Sequence, residues 1–146
     1  MKKTILCVMA PQGRGKTSTI RRVDEILQSY GAKLVKEFFE EGNDFCREHS
    51  FRSHSIGILS LGDPNSAQPE YLQKLADDNC DIIVCASRFK GNTCDEVSNI
   101  TEKYGYERFW ISPLYEYDSV HPLAIEMHEL NAEFIIKAIL FAYNQN

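Results

Sequence analysis

The sequence has little of what marks membrane or nucleic-acid-binding proteins. No apolar run reaches the ~20 residues that a bilayer crossing needs, because Glu133 and Lys137 interrupt the longest stretch. Basic residues number 16 against 21 acidic ones, which gives a formal net charge of -5. This balance disfavours a broad nucleic-acid surface, which carries an excess of Lys and Arg. We therefore expect a soluble protein with no membrane partner and no extended nucleic-acid surface.

The cysteines lack the spacing of a disulfide framework. There are 5, an odd number without a CxxC pair, and Cys7 and Cys85 lie in apolar runs. Reduced thiols and a cytoplasmic location are therefore expected. A zinc site that combines cysteines with His49 or His54 is disfavoured, since the spacings match no standard ligand template.

Internal repeats, low-complexity tracts and linkers are missing as well. A chain of 146 residues with 43% apolar side chains suits one compact domain. We expect a single domain over residues 1–146.

Apolar runs alternate with amphipathic segments along this chain. The runs predict five strands, at 4–10, 33–39, 55–63, 80–87 and 108–114. Helical periodicity predicts helices at 20–30, 64–79, 91–105 and 122–143, with Thr93 as the cap of the third. This order predicts an α/β fold of three layers, a five-stranded, mostly parallel sheet with helices on both faces.

Residues 40–54 are polar and fit either a further strand, paired with 55–61 as a hairpin, or an exposed loop.

The last helix has an expected apolar face, which consists of Leu123, Met127, Leu130, Phe134, Ala138 and Phe141.

Residues 10–17, APQGRGKT, match the phosphate-binding pattern GxxxxGK[ST] except at Ala10, which replaces the first glycine. The predicted strand before them and the predicted helix after them are the context in which this pattern binds phosphate. Gly13 and Gly15 permit backbone conformations that turn N–H groups toward phosphate oxygens, and a helix N-terminus attracts anions. Lys16 would then act as a point charge on the β- and γ-phosphates, and the Thr17 hydroxyl would ligate Mg²⁺.

On these residues the chain resembles the P-loop nucleoside triphosphatase superfamily, and the predicted element order is compatible with that resemblance over 1–143. The resemblance implies a nucleoside triphosphate and Mg²⁺ at the carboxyl edge of the sheet. ATP is favoured over GTP, since no NKxD guanine-reading motif is present. The expected phosphate contacts come from Gln12, Gly13, Arg14, Gly15, Lys16, Thr17 and Ser18.

The resemblance also implies an acidic residue that holds Mg²⁺ through water at the end of a neighbouring strand. Asp63 follows the apolar run of the third predicted strand, although its GDPN context also suits a plain turn. Arg88 and Lys90 follow the fourth predicted strand. Arg88 either grips the γ-phosphate with its guanidinium fork or is solvated. Lys16 and Arg88 are thus the candidate catalytic residues.

Other candidates are weaker. Glu37, Glu40 and Glu41 are more consistent with a solvated acidic loop than with an acceptor-orienting carboxylate. Tyr115 and Tyr117 suit either stacking on a base or packing against the last helix. His121 and His128 need not share a face with anything catalytic.

Two functions follow. The first is Mg²⁺-dependent hydrolysis of ATP or phosphotransfer from it, with Lys16 near the surface. The second is a nucleotide-gated module that binds ATP to order a loop and engage a protein partner, with little turnover. The sequence offers no clear water-positioning residue or catalytic carboxylate, and such a gap would favour the second function.

Overall fold

Six strands form one sheet in the computed structural model, which describes residues 2–10, 15–89, 91–114 and 121–145. The strand order across the sheet is β2-β3-β4-β5-β1-β6. The elements in chain order are β1 (Thr4–Met9), α1 (Lys16–Ser29), β2 (Lys33–Glu41), β3 (Asp44–Phe51), β4 (His54–Leu59), α2 (Gln68–Asp77), β5 (Ile82–Ser87), α3 (Asn92–Tyr104), β6 (Glu107–Ile111) and α4 (Pro122–Tyr143).

Strand pairing divides the sheet into a parallel and an antiparallel part. Strand β1 is parallel to both β5 and β6, and β5 is parallel to β4. Strands β2, β3 and β4 pair antiparallel in sequence order. The expected α/β class and mostly parallel sheet are confirmed, whereas the expected number of five strands is wrong.

The sixth strand is β3, in the segment that the sequence left open between strand and loop. Its alternation is hard to recognise because ionisable residues occupy buried positions, among them Glu48 and His49. His49 meets Asp24 of α1 through its Nε2 atom, so a polar sequence forms a half-buried strand here. The hairpin alternative was the correct one, and β3 additionally pairs with β2.

Helices cover both faces of the sheet. Side chains of α1 and α4 pack with Leu6 and Val8 of β1, whereas side chains of α2 and α3 pack with Ile5 and Cys7. Successive residues of a strand point to opposite faces, so β1 is buried on both sides. Its carboxyl end leads to the segment that precedes α1.

Helix α4 has the predicted bounds but not the predicted buried face. Leu130, Phe134 and Phe141 are more than half exposed, at 53%, 56% and 64%. The buried face consists instead of Ala124, Asn131, Ala132, Ile135, Ile136, Ile139 and Ala142. The helix is apolar around most of its circumference, so periodicity does not select a face, and the smaller side chains pack inward. None of the described helices, α4 included, combines the length and apolarity that crossing a bilayer requires.

All five cysteines are free thiols. Burial raises the pKa of Cys46 to about 12 and that of Cys85 well above its ordinary value, where a hydrogen bond to Cys7 is the largest cause. These thiols therefore behave as small apolar side chains of the core.

A buried ionic cluster fastens the β2–β3 hairpin to α1. Asp24 of α1 accepts hydrogen bonds from His49 Nε2 at 2.6 Å and from Arg47 Nη1 at 2.7 Å. Asp24 and His49 are almost fully buried. Burial alone would raise the pKa of Asp24, but the His49 hydrogen bond and the Arg47 charge outweigh burial and lower it. The cluster sets the position of β3 relative to the start of α1.

Replacing Asp24 by asparagine should lower the free energy of unfolding by about 2 kcal/mol at neutral pH, because Arg47 and His49 lose their anionic partner. The folded-state pKa of Asp24 is depressed, so its contribution is present above its unfolded pKa of about 4 and is lost as the pH falls through the folded value. Urea denaturation should show the wild-type advantage shrinking below about pH 4.

The exposed Asp95, in the first turn of α3, provides the matched control. Asp95→Asn should change stability by no more than about 1 kcal/mol, its interaction with the helix dipole. Equal losses in the two variants would contradict the role of the Asp24 cluster.

Candidate functional site

The candidate site lies between the end of β1 and the start of α1. Ala10 continues the pairing of β1 with β5 through a 3.2 Å hydrogen bond to the Ser87 carbonyl. Gly15 precedes α1 with a φ of +84°, a left-handed conformation that favours glycine. Three predicted phosphate contacts, Gln12, Gly13 and Arg14, lie outside the described residues.

Lys16 reaches back from α1 to the end of β1 and is buried, with 7% of its side chain exposed. Its ammonium donates to the Ala10 carbonyl at 2.7 Å and to Asp63 Oδ1 at 3.4 Å. Burial lowers the pKa of Lys16, and the charge of Asp63 opposes that shift only in part. The expectation of a lysine near the surface is therefore wrong, because the side chain folds back against the end of β1.

Asp63 and Arg88 meet at Lys16, although they follow different strands. Arg88 Nε lies 3.4 Å from Asp63 Oδ1, the same oxygen that Lys16 contacts. A Cβ on Gly62 would lie 2.7 Å from the backbone carbon of Ala86, so the chain after β4 passes very close to β5. This close approach brings Asp63 into the cluster formed by Lys16, Asp63 and Arg88.

The start of α3 holds the backbone at Arg88. The Arg88 N–H donates to the Thr93 hydroxyl at 3.3 Å. Buried Gln68 donates to the carbonyls of Ala86, at 3.3 Å, and Thr93, at 3.1 Å, and so joins α2 to both β5 and α3. The expected role of Thr93 as helix cap is wrong, because the cap is Gly91 and Thr93 lies inside the first turn.

Thr17 lies beside a carboxylate that the sequence reasoning did not identify. Its hydroxyl is 3.5 Å from Asp44 Oδ1, and the buried Ser60 hydroxyl donates to the same oxygen at 3.0 Å. Asp44 is the first residue of β3, in the segment left open between strand and loop. The only available signal was an acid in the tight turn GND, which is common in ordinary hairpins.

His128 of α4 packs against the start of α1. A Cβ built on Gly15 would overlap the imidazole, with His128 Cδ2 only 2.6 Å away. Helix α4 is fastened to α1 by two hydrogen bonds from Arg22 to Glu129, at 2.6 and 3.1 Å. Burial lowers the pKa of His128. The expectation that His128 has no relation to the site missed this contact, which depends on how α4 packs.

Replacing Gly15 by alanine should destabilise the protein by about 3 kcal/mol. The positive φ accounts for about 1–2 kcal/mol, and displacing the His128 ring for about 1–3 kcal/mol. The matched control is Gly105→Ala, whose φ is +75° and whose added Cβ meets nothing within 4 Å. Urea denaturation should show the smaller loss for Gly105→Ala, whereas equal losses would contradict the His128 contact.

The other predicted site residues that the structure describes occupy surface or capping positions. Ser18 is exposed on the first turn of α1. Glu37 and Glu40 form ion pairs with Arg47, as an acidic surface segment would. His121 is the N-cap of α4. Lys90, Tyr115 and Tyr117 lie outside the described residues.

A separate apolar groove of about 1050 Å³ lies between β6 and α4. Its aromatic walls are Phe109, Trp110, Phe134 and Phe141, and neither Lys16 nor Asp63 lines it.

Within the described parts of the chain, no group of three His, Cys, Asp or Glu side chains is arranged to hold a metal ion.

Comparison with known proteins adds little to this geometry. No family model and no curated protein matches the chain. Among solved structures, the crystal structure of APE1195 aligns with 95% of this chain and 74% of its own, at 14% identity and a TM-score of 0.39. A likeness of this degree carries no argument about function.

Proposed function

We propose that the chain binds a nucleoside triphosphate with Mg²⁺ at the start of α1 and hydrolyses it or transfers its γ-phosphoryl group. ATP is the proposed nucleotide. The observation that carries the proposal is Lys16, a buried cation at the first position of a helix that follows a buried strand and a glycine-rich loop. Buried lysines are rare unless they are paired, and an anion at this helix end would give Lys16 a further partner.

The contacts of Lys16 suit an exchange of partners. Its ammonium is held by one carbonyl and, more loosely, by Asp63 at 3.4 Å. Phosphate oxygens would replace Asp63 and form shorter charge-assisted hydrogen bonds. The backbone N–H groups at the start of α1 would donate to the same phosphates, since the first turn of a helix has unpaired donors.

The side chains present also fit Mg²⁺. Thr17 offers a hydroxyl oxygen and Asp63 a carboxylate, the hard oxygen ligands that Mg²⁺ prefers. Bound Mg²⁺ would neutralise charge on the phosphates. The chain's own part is to orient these oxygens, and Arg88 lies beside them, with its Nε 3.4 Å from the Asp63 carboxylate.

A second candidate function is a nucleotide-gated module that engages a protein partner and turns over little ATP. It is favoured by the position of Asp63, which joins Lys16 of α1 to Arg88 ahead of α3. A triphosphate that displaces Asp63 from Lys16 would alter the loop between β4 and α2. In that case ATP and ADP would stabilise different positions of this loop.

Thermal denaturation with nucleotides tests the proposal. A ligand that binds only the folded state adds about 2.7 kcal/mol when its concentration is a hundred times Kd. We expect ATP with Mg²⁺ to raise Tm most, ADP less and AMP least, and EDTA to reduce the ATP effect. If ATP and AMP have equal effects, or neither has one, the triphosphate proposal fails.

A further inference from the structure

The tip of the β2–β3 hairpin lies against the start of α1. Gly42 has a φ of +61°, and Glu41 pairs with Asp44 across the turn. The guanidinium of Arg21 donates to the Asn43 carbonyl at 2.8 Å. This contact and the Asp24 cluster deeper in the hairpin hold Asp44 at a defined place beside α1.

Hydrogen bonds orient the Asp44 carboxylate. Ser60 Oγ accepts from the Phe45 N–H at 2.9 Å, which leaves its own proton for Asp44 Oδ1 at 3.0 Å. Ser60 has 1% of its surface exposed, so this arrangement is sheltered from water. The same carboxylate oxygen lies 3.5 Å from Thr17 Oγ1.

Charge distinguishes Asp44 from the other acids around the start of α1. Asp63 contacts Lys16 and Arg88, and Asp24 contacts Arg47 and His49. Within the described ranges, Asp44 forms no ion pair with a lysine, arginine or histidine. Among the described residues, this half-buried carboxylate beside the Thr17 hydroxyl therefore has no ion-pair partner within 4 Å, and the neighbouring Arg21 guanidinium donates to the Asn43 carbonyl instead.

We propose that Asp44 holds the divalent cation at Thr17, which makes it a cation-site residue in addition to Asp63. This inference rests on the proposed function, in which the Thr17 hydroxyl ligates Mg²⁺. Two oxygens bound side by side to one Mg²⁺ lie about 3 Å apart, given metal–oxygen distances of about 2.1 Å. The separation of 3.5 Å between Thr17 and Asp44 needs only a small adjustment to match.

In this proposal, the function of the β2–β3 hairpin is to position Asp44. Strand β3 lies between β2 and β4 and is antiparallel to both, and the turn before β3 places the Asp44 carboxylate beside the start of α1. The competing interpretation is structural: Asp44 would only join β3 to Ser60 and Thr17. A structural role would affect stability and nucleotide affinity regardless of metal, whereas a cation role depends on metal.

The test compares the wild type with Asp44→Asn, which keeps the shape and removes the charge. Glu41→Gln is the matched control, since Glu41 is exposed and directly opposite Asp44 in the same hairpin. Calorimetry measures ATP affinity in excess EDTA and in saturating Mg²⁺, and Mn²⁺ binding is followed by electron paramagnetic resonance. Thermal denaturation verifies that each variant is folded.

We expect Asp44→Asn to reduce the Mg²⁺ enhancement of ATP affinity, and the Mn²⁺ affinity of the ATP complex, by on the order of tenfold or more. Affinity in EDTA should not fall, and Glu41→Gln should match the wild type. The proposal is overturned if the enhancement is equal in all three proteins, or if Asp44→Asn weakens binding equally with and without metal.

Failure of the proposed function itself would give a different result. If the wild type binds no nucleotide, Mn²⁺ binding to the protein alone decides the role of Asp44. The cation site then stands if the wild type and Glu41→Gln bind Mn²⁺ and Asp44→Asn does not. It falls if all three bind Mn²⁺ equally or none does.

Discussion

Replacing Lys16 by alanine should reduce ATP affinity by on the order of 10³-fold while the protein stays folded. The ammonium belongs to the first residue of α1, and the proposed function places it on the β- and γ-phosphates. Removing it leaves Asp63 in contact with Arg88, so no carboxylate of the cluster loses all its cationic partners. Burial already disfavours the charged form of Lys16, so the loss of its charge should cost little stability.

Calorimetric titration with ATP and Mg²⁺ measures the Lys16 effect, and circular dichroism checks the fold. Lys74→Ala is the matched control, because this exposed lysine of α2 pairs only with Glu70 one turn away among the ion pairs of the described residues. Its ATP affinity should equal that of the wild type. If Lys16→Ala binds ATP as tightly as Lys74→Ala does, Lys16 has no role in phosphate binding.

Replacing Arg88 by alanine should separate the enzyme from the nucleotide-gated module. In an enzyme, the guanidinium stabilises charge that develops during phosphoryl transfer, so turnover should fall by on the order of 10³ while ATP affinity changes far less. In a module, basal hydrolysis is slow with or without Arg88. The variant would instead lose discrimination between ATP and ADP, because only ATP carries the γ-phosphate.

Single-turnover hydrolysis and the affinities for ATP and ADP should be measured together on the wild type and Arg88→Ala. Arg108→Ala is the matched control, since Arg108 is exposed on β6, where it bonds Ser98 rather than Asp63. If Arg88→Ala changes neither the rate nor the ATP-to-ADP affinity ratio, Arg88 takes no part in either function.

The residues around α1 that the sequence could predict belong to a local pattern. An apolar strand, glycines, a lysine and a threonine follow one another directly, so the start of α1 and the position of Lys16 follow from neighbours in the chain. Asp63 and Arg88 were also predictable in place, because each follows a strand of the parallel part of the sheet. The roles of these residues remain predictions.

The residues that the sequence missed depend on contacts between distant segments. Asp44 begins a polar strand, β3, which is stabilised because Arg47 and His49 form hydrogen bonds with Asp24 of α1. His128 reaches Gly15 only through the packing of α4 on α1. Polar side chains are buried in β3, and apolar side chains cover most of the circumference of α4, so the periodicity of the sequence does not predict these contacts.

The most direct test of the central claim is a nuclear magnetic resonance titration of ¹⁵N-labelled protein with ATP and Mg²⁺. The account predicts large, saturable shifts in the amide signals of Gly15, Lys16 and Thr17, whose N–H groups would face the phosphates. Signals of β6 and of α4 beside the apolar groove should move much less. Shifts confined to that groove, with the amides at the start of α1 unmoved at saturation, would contradict the claim.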